Sequence, residues 1–150
     1  MKIFRTKNAH ANFWLDVVLI TAILACICYI FFWPIRVAGN SMSPTVNVGD
    51  QLVVSRFLGF IGNYSHGDLV LAHVEIDGAT ETIIKRVAAI PGDHFILEDI
   101  DIILADGEYF LLGDNTTVSK DSRHFGPVNA SQISGRILLR YFPLTAIEIF

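Results

Sequence analysis

Residues 82–93, TIIKRVAAIPGD, predict a β-strand that ends in a tight turn. The β-branched residues at its start favour extended backbone, and the Pro-Gly-Asp triplet is typical of a turn. Side chains two residues apart on a strand share a face, so Lys85 lies on the same apolar face as Ile83 and Val87. Arg86 points the other way. The strand therefore carries a lysine among apolar neighbours.

Short apolar runs broken by glycine, proline and asparagine continue on both sides of this strand, from about residue 35 onward. No part of this region keeps a helical period, so we predict a mainly β domain. The predicted strands are 51–56, 69–74, 82–89, 94–97, 109–112 and 133–142.

The segment before this domain is apolar and long. Residues 15–33 read LDVVLITAILACICYIFFW, with Asp16 as the only charge. At 1.5 Å per residue a helix of this length spans the hydrocarbon core of about 30 Å, so we predict a transmembrane anchor over 15–34. A cleavable signal sequence is the alternative, because Val37-Ala38-Gly39 offers small residues for cleavage. The apolar part of such a signal is shorter, about 7 to 15 residues, and the anchor is favoured.

Charge gives the anchor an expected orientation. Lys2, Arg5 and Lys7 precede the apolar run, whereas Arg36 alone follows it closely. The anchor is expected in the cytoplasmic membrane. By the positive-inside rule, residues 1–14 are cytoplasmic and residues 35–150 form a β-rich domain on the extracytoplasmic side.

Charge and cysteine content limit the functions and bonds expected of the predicted outer domain. The chain has 11 basic and 15 acidic residues, and the excess of acid lies in the predicted outer domain. Such a domain is a poor candidate for binding nucleic acid. Both cysteines, Cys26 and Cys28, fall in the anchor, so no disulfide is expected outside it.

Two residues suggest nucleophilic chemistry. Desolvation lowers the pKa of a lysine on an apolar face, and the neutral amine can act as a base. Ser41 lies in the turn-forming stretch GNSMSPT, residues 39–45. A serine hydroxyl needs an adjacent base to attack a carbonyl, and Ser-Lys pairs are an established arrangement. The alternatives are a lysine whose head reaches solvent and a serine that serves only the turn.

Four motifs in order resemble the conserved boxes of bacterial type I signal peptidases. They are Ser41-Met42-Ser43-Pro44-Thr45 with Gly49-Asp50, Lys85-Arg86 with Pro91-Gly92-Asp93, Gly113-Asp114-Asn115, and Asp121-Ser122-Arg123 with Gly126. The resemblance extends from the anchor to about residue 137. It implies a signal-peptidase-like β-sheet or barrel domain that cleaves signal peptides from exported preproteins at the bilayer, without metal or cofactor.

The resemblance also implies roles for single residues. Ser41 would be the nucleophile and the main oxyanion donor through its N–H, Lys85 the general base, and Ser119 the group that orients the lysine amine. Asp121 and Arg123 would form a structural ion pair supported by Asp114. Some relatives have a serine hydroxyl as a second oxyanion donor, at the position of Gly39 here. Asn40 or a water is the expected substitute for it.

The expected substrates have small residues, typically alanine, at the first and third positions before the cut. Small apolar pockets would select them, because bulky side chains clash there. The residues expected to line these pockets are Ile35, Val37, Met42, Ile83 and Ile84, with core packing as the alternative. Only 19 residues separate the motifs at 92–93 and 113–114, where larger relatives carry a second domain.

Several other functions fit the residues of this sequence less well. A Ser-His hydrolase would have to use His124, and a metal site would draw on His66, His73 and His94, which lack paired-ligand spacing. An anchored binding module would not need both Ser41 and Lys85. A self-cleaving repressor would need a DNA-binding domain before the β core. A dedicated peptidase that matures a pilin or conjugation subunit shares the motifs. The apolar cluster at 57–61 is expected either in the core or at the bilayer surface.

Overall fold

The computed structural model describes residues 9–57 and 63–150, and side chains from residue 12 onward within those ranges. The chain divides into two units, one ending at Phe31 and the other spanning Phe32–Phe150. The first contains the helix Ala9–Phe31. Its stretch Asn12–Phe31 has a mean hydropathy of 2.4 and is long and apolar enough to cross a membrane.

The helix stops before the end of the apolar run. It ends at Phe31 and Phe32–Arg36 form the first strand, whereas the anchor was predicted to continue to residue 34. Pro34 has no N–H for a helical hydrogen bond, and the residue before a proline avoids helical backbone. Here Pro34 lies in an edge strand, where its missing donor costs little.

The second unit is mainly β, which confirms the predicted fold class. Its strands are β1 (Phe32–Arg36), β2 (Gln51–Ser55), β3 (Leu69–Ile76), β4 (Ala79–Ala89), β5 (His94–Leu97), β6 (Ile100–Ile103), β7 (Glu108–Leu112), β8 (Val128–Asn129), β9 (Ile133–Phe142) and β10 (Glu148–Ile149). The main sheet has the order β1-β2-β9-β3-β4-β7-β8, with β10 beside β9, and the pairings are antiparallel.

The strands β5 and β6 form a separate hairpin. This hairpin fills most of the segment between the motifs at 92–93 and 113–114, which was expected to be too short for a second domain. Phe110 packs against Phe95 of the hairpin with ring centroids 4.6 Å apart, so the hairpin is fixed to the main sheet.

Hydrophobic side chains form two main clusters in the sheet unit. One contains Val70, Ala72, Val74, Val87, Tyr109 and Leu111, and Tyr64 meets Tyr109 edge to face at 5.3 Å. The other contains Val37, Met42, Val46, Leu52, Leu71 and Ile137. The second cluster includes residues on both sides of Ser41 in sequence. Burial of these side chains holds the loop between β1 and β2 against the sheet.

The topology leaves two strand edges open beside each other in the site described below. β1 is the last strand on its side of the sheet. β7 pairs with β4 only over residues 86–89, so residues 79–85 of β4 have no strand partner on that side within the described part of the chain. Open edges of this kind can accept an added peptide strand.

Candidate active site

Ser41 lies in the loop that joins β1 to β2. Backbone hydrogen bonds close the base of the loop, from Val37 N–H to Asp50 O and from Gly49 N–H to Val37 O, each at 2.9 Å. Met42 is 1% exposed and anchors the loop next to the serine. The carbonyl oxygen of Ser41 accepts from the N–H of Asn115 at 3.0 Å. The serine is thus tied to a second loop about seventy residues further along the chain.

Lys85 lies near the middle of β4 and is almost fully buried, with 2% of its surface exposed. Its Nζ donates to Ser119 Oγ at 3.0 Å. Burial lowers the pKa of this amine because the charged form loses its hydration, although the carboxylates of Asp121 and Asp114 partly oppose the shift. The amine is therefore biased toward the neutral form that can accept a proton.

Ser119 links this amine to an ion pair. Burial by itself would raise the pKa of Asp121, but hydrogen bonds from Arg123, the Gly113 N–H and Ser119 hold it at about 2. Arg123 donates Nε and Nη2 to the two oxygens of Asp121, both at 2.9 Å. An ionised carboxylate only accepts, so the Ser119 hydroxyl donates to Asp121 and its oxygen accepts from Lys85. The lone pair of the amine is left for another proton.

Gly113 allows these groups to approach one another. A Cβ added there would lie 2.6 Å from Ser119 Cβ and 2.7 Å from the Ser41 carbonyl oxygen. Distances this short are not tolerated between non-bonded atoms, so a side chain is excluded. Gly113 belongs to the predicted motif Gly113-Asp114-Asn115, but no local pattern indicates that its backbone lies between Ser41 and Ser119.

Asp114 forms an ion pair with Arg86. It accepts from Arg86 Nε at 2.8 Å and from Nη2 at 2.6 Å. Thr45 Oγ1 also donates to it, at 2.5 Å. Because side chains alternate along β4, Arg86 leaves the strand on the face opposite Lys85 and forms an ion pair of its own. Sequence reasoning missed this role of Arg86, although it is adjacent to Lys85.

Ser41 and Lys85 both line a cleft of about 750 Å³ between β1 with its following loop on one side and β4 on the other. The cleft is also lined by every residue predicted to form the substrate pockets, namely Ile35, Val37, Met42, Ile83 and Ile84. Four of them also belong to the second core cluster or pack against it: Val37 and Met42 are buried in it, and Ile35 and Ile84 lie against it.

Three residues that line the cleft, Gly39, Asn40 and Ser41, have backbone N–H groups that donate to no other backbone group in the described part of the chain. Nothing within 4 Å would contact a side chain at Gly39, so the position expected to hold a second donor is open space. Val37, Ala38 and Gly39 follow β1 as a loop and line the cleft.

The described histidines bond to groups other than Ser41 and Lys85, although His73 also lines the cleft. His124 Nδ1 accepts from the N–H of Asp121 at 3.5 Å, as part of the cap of the helical turn Ser122–Phe125. His66 pairs with Asp93, His94 with Asp101, and His73 with Thr82. Each bonds a different residue. Over ranges 9–57 and 63–150, no group of three potential metal ligands comes together.

Comparison with known proteins agrees with this geometry. A family model described as signal peptidase, peptidase S26, matches residues 11–106 and 98–142. The chain is 26% identical to a signal peptidase I of Bacillus licheniformis, covering 90% of each chain, and 29% identical to a signal peptidase I of Streptococcus pneumoniae, covering 95% of this chain and all of the other.

A mitochondrial protease is also similar to this chain. The mitochondrial ATP-independent inner membrane protease subunit 1a of Arabidopsis thaliana is 33% identical, over 72% of this chain and 69% of its own. The family match covers most of the chain, including Ser41, Lys85, Ser119 and the Asp121–Arg123 pair. The chain therefore belongs to the signal peptidase family, the S26 peptidases.

Proposed function

We propose that this peptidase removes signal peptides from exported preproteins, with Ser41 as the nucleophile and Lys85 as the general base. The observation that carries the proposal is the buried amine of Lys85, held by Ser119 at 3.0 Å in the cleft that Ser41 also lines. A charged lysine head normally reaches solvent. A buried one with a lowered pKa fits proton transfer.

The proposed reaction follows from these contacts. The neutral Lys85 amine takes the hydroxyl proton of Ser41 as its oxygen attacks the scissile carbonyl. The Ser41 N–H stabilises the oxyanion that forms. The ammonium then gives its proton to the leaving amine, and an acyl-enzyme on Ser41 remains. In the second half the amine takes a proton from water, whose oxygen attacks the ester carbonyl. The ammonium returns this proton to Ser41 Oγ as the ester bond breaks, and the signal peptide leaves with a new carboxyl group.

The open strand edges support an extended peptide as the substrate. A peptide that enters the cleft as an added strand can pair with residues 79–85 of β4 and with the chain leaving β1. Alternate side chains of such a strand point to the same wall. The apolar walls at Ile35, Val37 and Ile83 then favour small apolar residues at the first and third positions before the cut.

We further propose that the apolar helix anchors the enzyme in the cytoplasmic membrane with its N-terminal side inside and the sheet unit outside. An anchor confines the enzyme and a membrane-held preprotein to the same thin layer, which raises their effective concentration. Phe57 is half exposed and suits contact with the bilayer. The rest of the 57–61 cluster lies outside the described residues.

The test is cleavage of a purified preprotein with alanine at the first and third positions before the cut. Ser41→Ala and Lys85→Ala are each expected to abolish cleavage while the circular dichroism spectrum stays unchanged. Ser43→Ala is the matched control, because Ser43 lies in the same turn but its hydroxyl donates to Asn47 at 3.0 Å. Cleavage by Ser41→Ala at the wild-type rate would refute the proposal.

A further inference from the structure

The guanidinium of Arg140 joins two parts of the molecule that are far apart in sequence. Arg140 lies in β9 and is 8% exposed. Its Nη1 donates to the carbonyl oxygen of Thr45 at 2.8 Å and to Asp50 Oδ2 at 3.0 Å. Its Nε donates to Ala146 O at 2.6 Å, and its Nη2 to Glu148 Oε2 at 2.7 Å. One side chain thus connects the Ser41 loop to segment 143–149.

The contact with the loop falls where it can affect Ser41. The residue after Thr45, Val46, donates its N–H to the carbonyl oxygen of Met42 at 2.9 Å. Met42 follows Ser41 directly and is buried. A shift of the Thr45 carbonyl is therefore passed through this turn to the backbone that carries the nucleophile and its N–H.

The loop is held on its other side by a separate group. The hydroxyl of Thr45 donates to Asp114, which is held in turn by Arg86. Thr45 is thus fixed at its carbonyl by Arg140 and at its hydroxyl by Asp114. Both contacts are needed to define its position, because each restrains a different atom.

The loop contact depends on segment 143–149 for its geometry. A nearly buried guanidinium must be matched by anions, since an unpaired buried charge is costly. Asp50 belongs to the loop side, whereas Glu148 and Ala146 O belong to segment 143–149. The planar fork of arginine fixes the direction of all four bonds together. Loss of the Glu148 contact therefore changes the orientation of the guanidinium and, with it, the hydrogen bond from Arg140 to the Thr45 carbonyl oxygen.

We propose that Arg140 is a positioning residue for Ser41, and that β10 with the turn before it holds Arg140 in place through Glu148 and Ala146. The inference rests on the proposed role of Ser41 as the nucleophile. It assigns a function in catalysis to segment 143–149, which lines no part of the cleft.

Arg136 provides a matched control on the same strand. Arg136 Nη1 lies 3.2 Å from Asp68 Oδ1, and its Nη2 donates to Phe150 O at 3.4 Å. It thus also joins a carboxylate to a carbonyl oxygen beyond residue 142, but it makes no hydrogen bond with the Ser41 loop among the described residues. A general loss of stability in β9 would affect both arginine variants.

The experiment compares Arg140→Lys, Glu148→Gln and Arg136→Lys with a soluble peptide substrate, and it measures kcat and KM separately. A small misplacement of a reacting group costs up to about 100-fold in rate, so Arg140→Lys is expected to lower kcat at least tenfold, with KM within twofold of wild type. Glu148→Gln is expected to lower kcat about threefold without a change in the urea midpoint. Arg136→Lys is expected to keep the wild-type kcat.

The outcomes separate this inference from the proposed function. If Ser41→Ala still cleaves the peptide, the proposed function fails. If Ser41→Ala is inactive but Arg140→Lys and Arg136→Lys have the same kcat, the positioning role of Arg140 alone is overturned. If Arg140→Lys does not fold, Glu148→Gln decides, because its side chain is half exposed and its loss does not threaten the fold. A wild-type kcat for Glu148→Gln then overturns the role of the segment.

Discussion

Removal of the Ser119 hydroxyl separates the orientation of Lys85 from the stability of the fold. Ser119 is 4% exposed, and Ser119→Ala deprives the Lys85 amine of its acceptor and Asp121 of a donor. A buried polar group left without its partner costs about 1 to 3 kcal/mol. If that loss appears in the transition state, kcat/KM falls about 10- to 100-fold, since each 1.36 kcal/mol is a factor of ten.

Ser122 offers a control three residues away. Its buried hydroxyl accepts from the N–H of Leu111 at 2.9 Å and makes no bond with Lys85. Ser122→Ala is expected to lower the free energy of unfolding by a similar amount, about 1 to 3 kcal/mol, with little effect on kcat/KM. Peptide cleavage and urea denaturation would be measured on both variants. Equal losses of activity would refute the reasoning, because Ser119 would then act only through stability.

Three further perturbations test the surroundings of the site. Gly113→Ala places a methyl group against Ser119 and the Ser41 carbonyl, so we expect a cost of about 1 to 3 kcal/mol in urea denaturation and at least a tenfold loss of kcat. Asp114→Asn weakens the bonds to Arg86 and Thr45 and should lower the urea midpoint; Asp77→Asn, at the exposed pair with Lys120, should not. The pKa of about 2 for Asp121 lies below its ordinary value, so its stabilisation is present above about pH 4 and lost toward pH 2. The free energy of unfolding should fall by roughly 2 kcal/mol over that interval, and Asp121→Asn should remove this dependence.

The longest elements of the fold could be predicted from local pattern. β3, β4 and β9 are eight residues or longer, each contains an alternating or apolar stretch, and each overlaps a predicted strand. β1 was missed because its residues continue the apolar run of the helix. β8 and β10 have two residues each, too few for any pattern, and they exist only because β7 and β9 offer them an edge.

In the candidate site, too, local sequence pattern predicted some features, whereas contacts between distant residues could not be predicted. The apolar face of β4 was enough to suggest a lysine with a lowered pKa. The Ser119 contact came only from the resemblance, because nothing local to Ser119 marks it. The close approach at Gly113 and the contacts of Arg140 were not predicted. Arg140 meets residues 90 and 95 positions away, and such meetings depend on how the whole sheet folds.

In the proposed mechanism a neutral Lys85 amine takes the proton of Ser41. An NMR titration of Lys85, in protein labelled with ¹³C at lysine Cε, tests this step when it is compared with the pH dependence of kcat/KM. Burial lowers the pKa of Lys85, and only the neutral amine accepts a proton, so activity should rise with pH as Lys85 is deprotonated. We expect Lys85 to titrate below the ordinary lysine value of about 10.4, with a midpoint that coincides with the acidic limb of kcat/KM. A Lys85 that titrates at the ordinary value, or an acidic limb unchanged in Lys85→Ala, would contradict it.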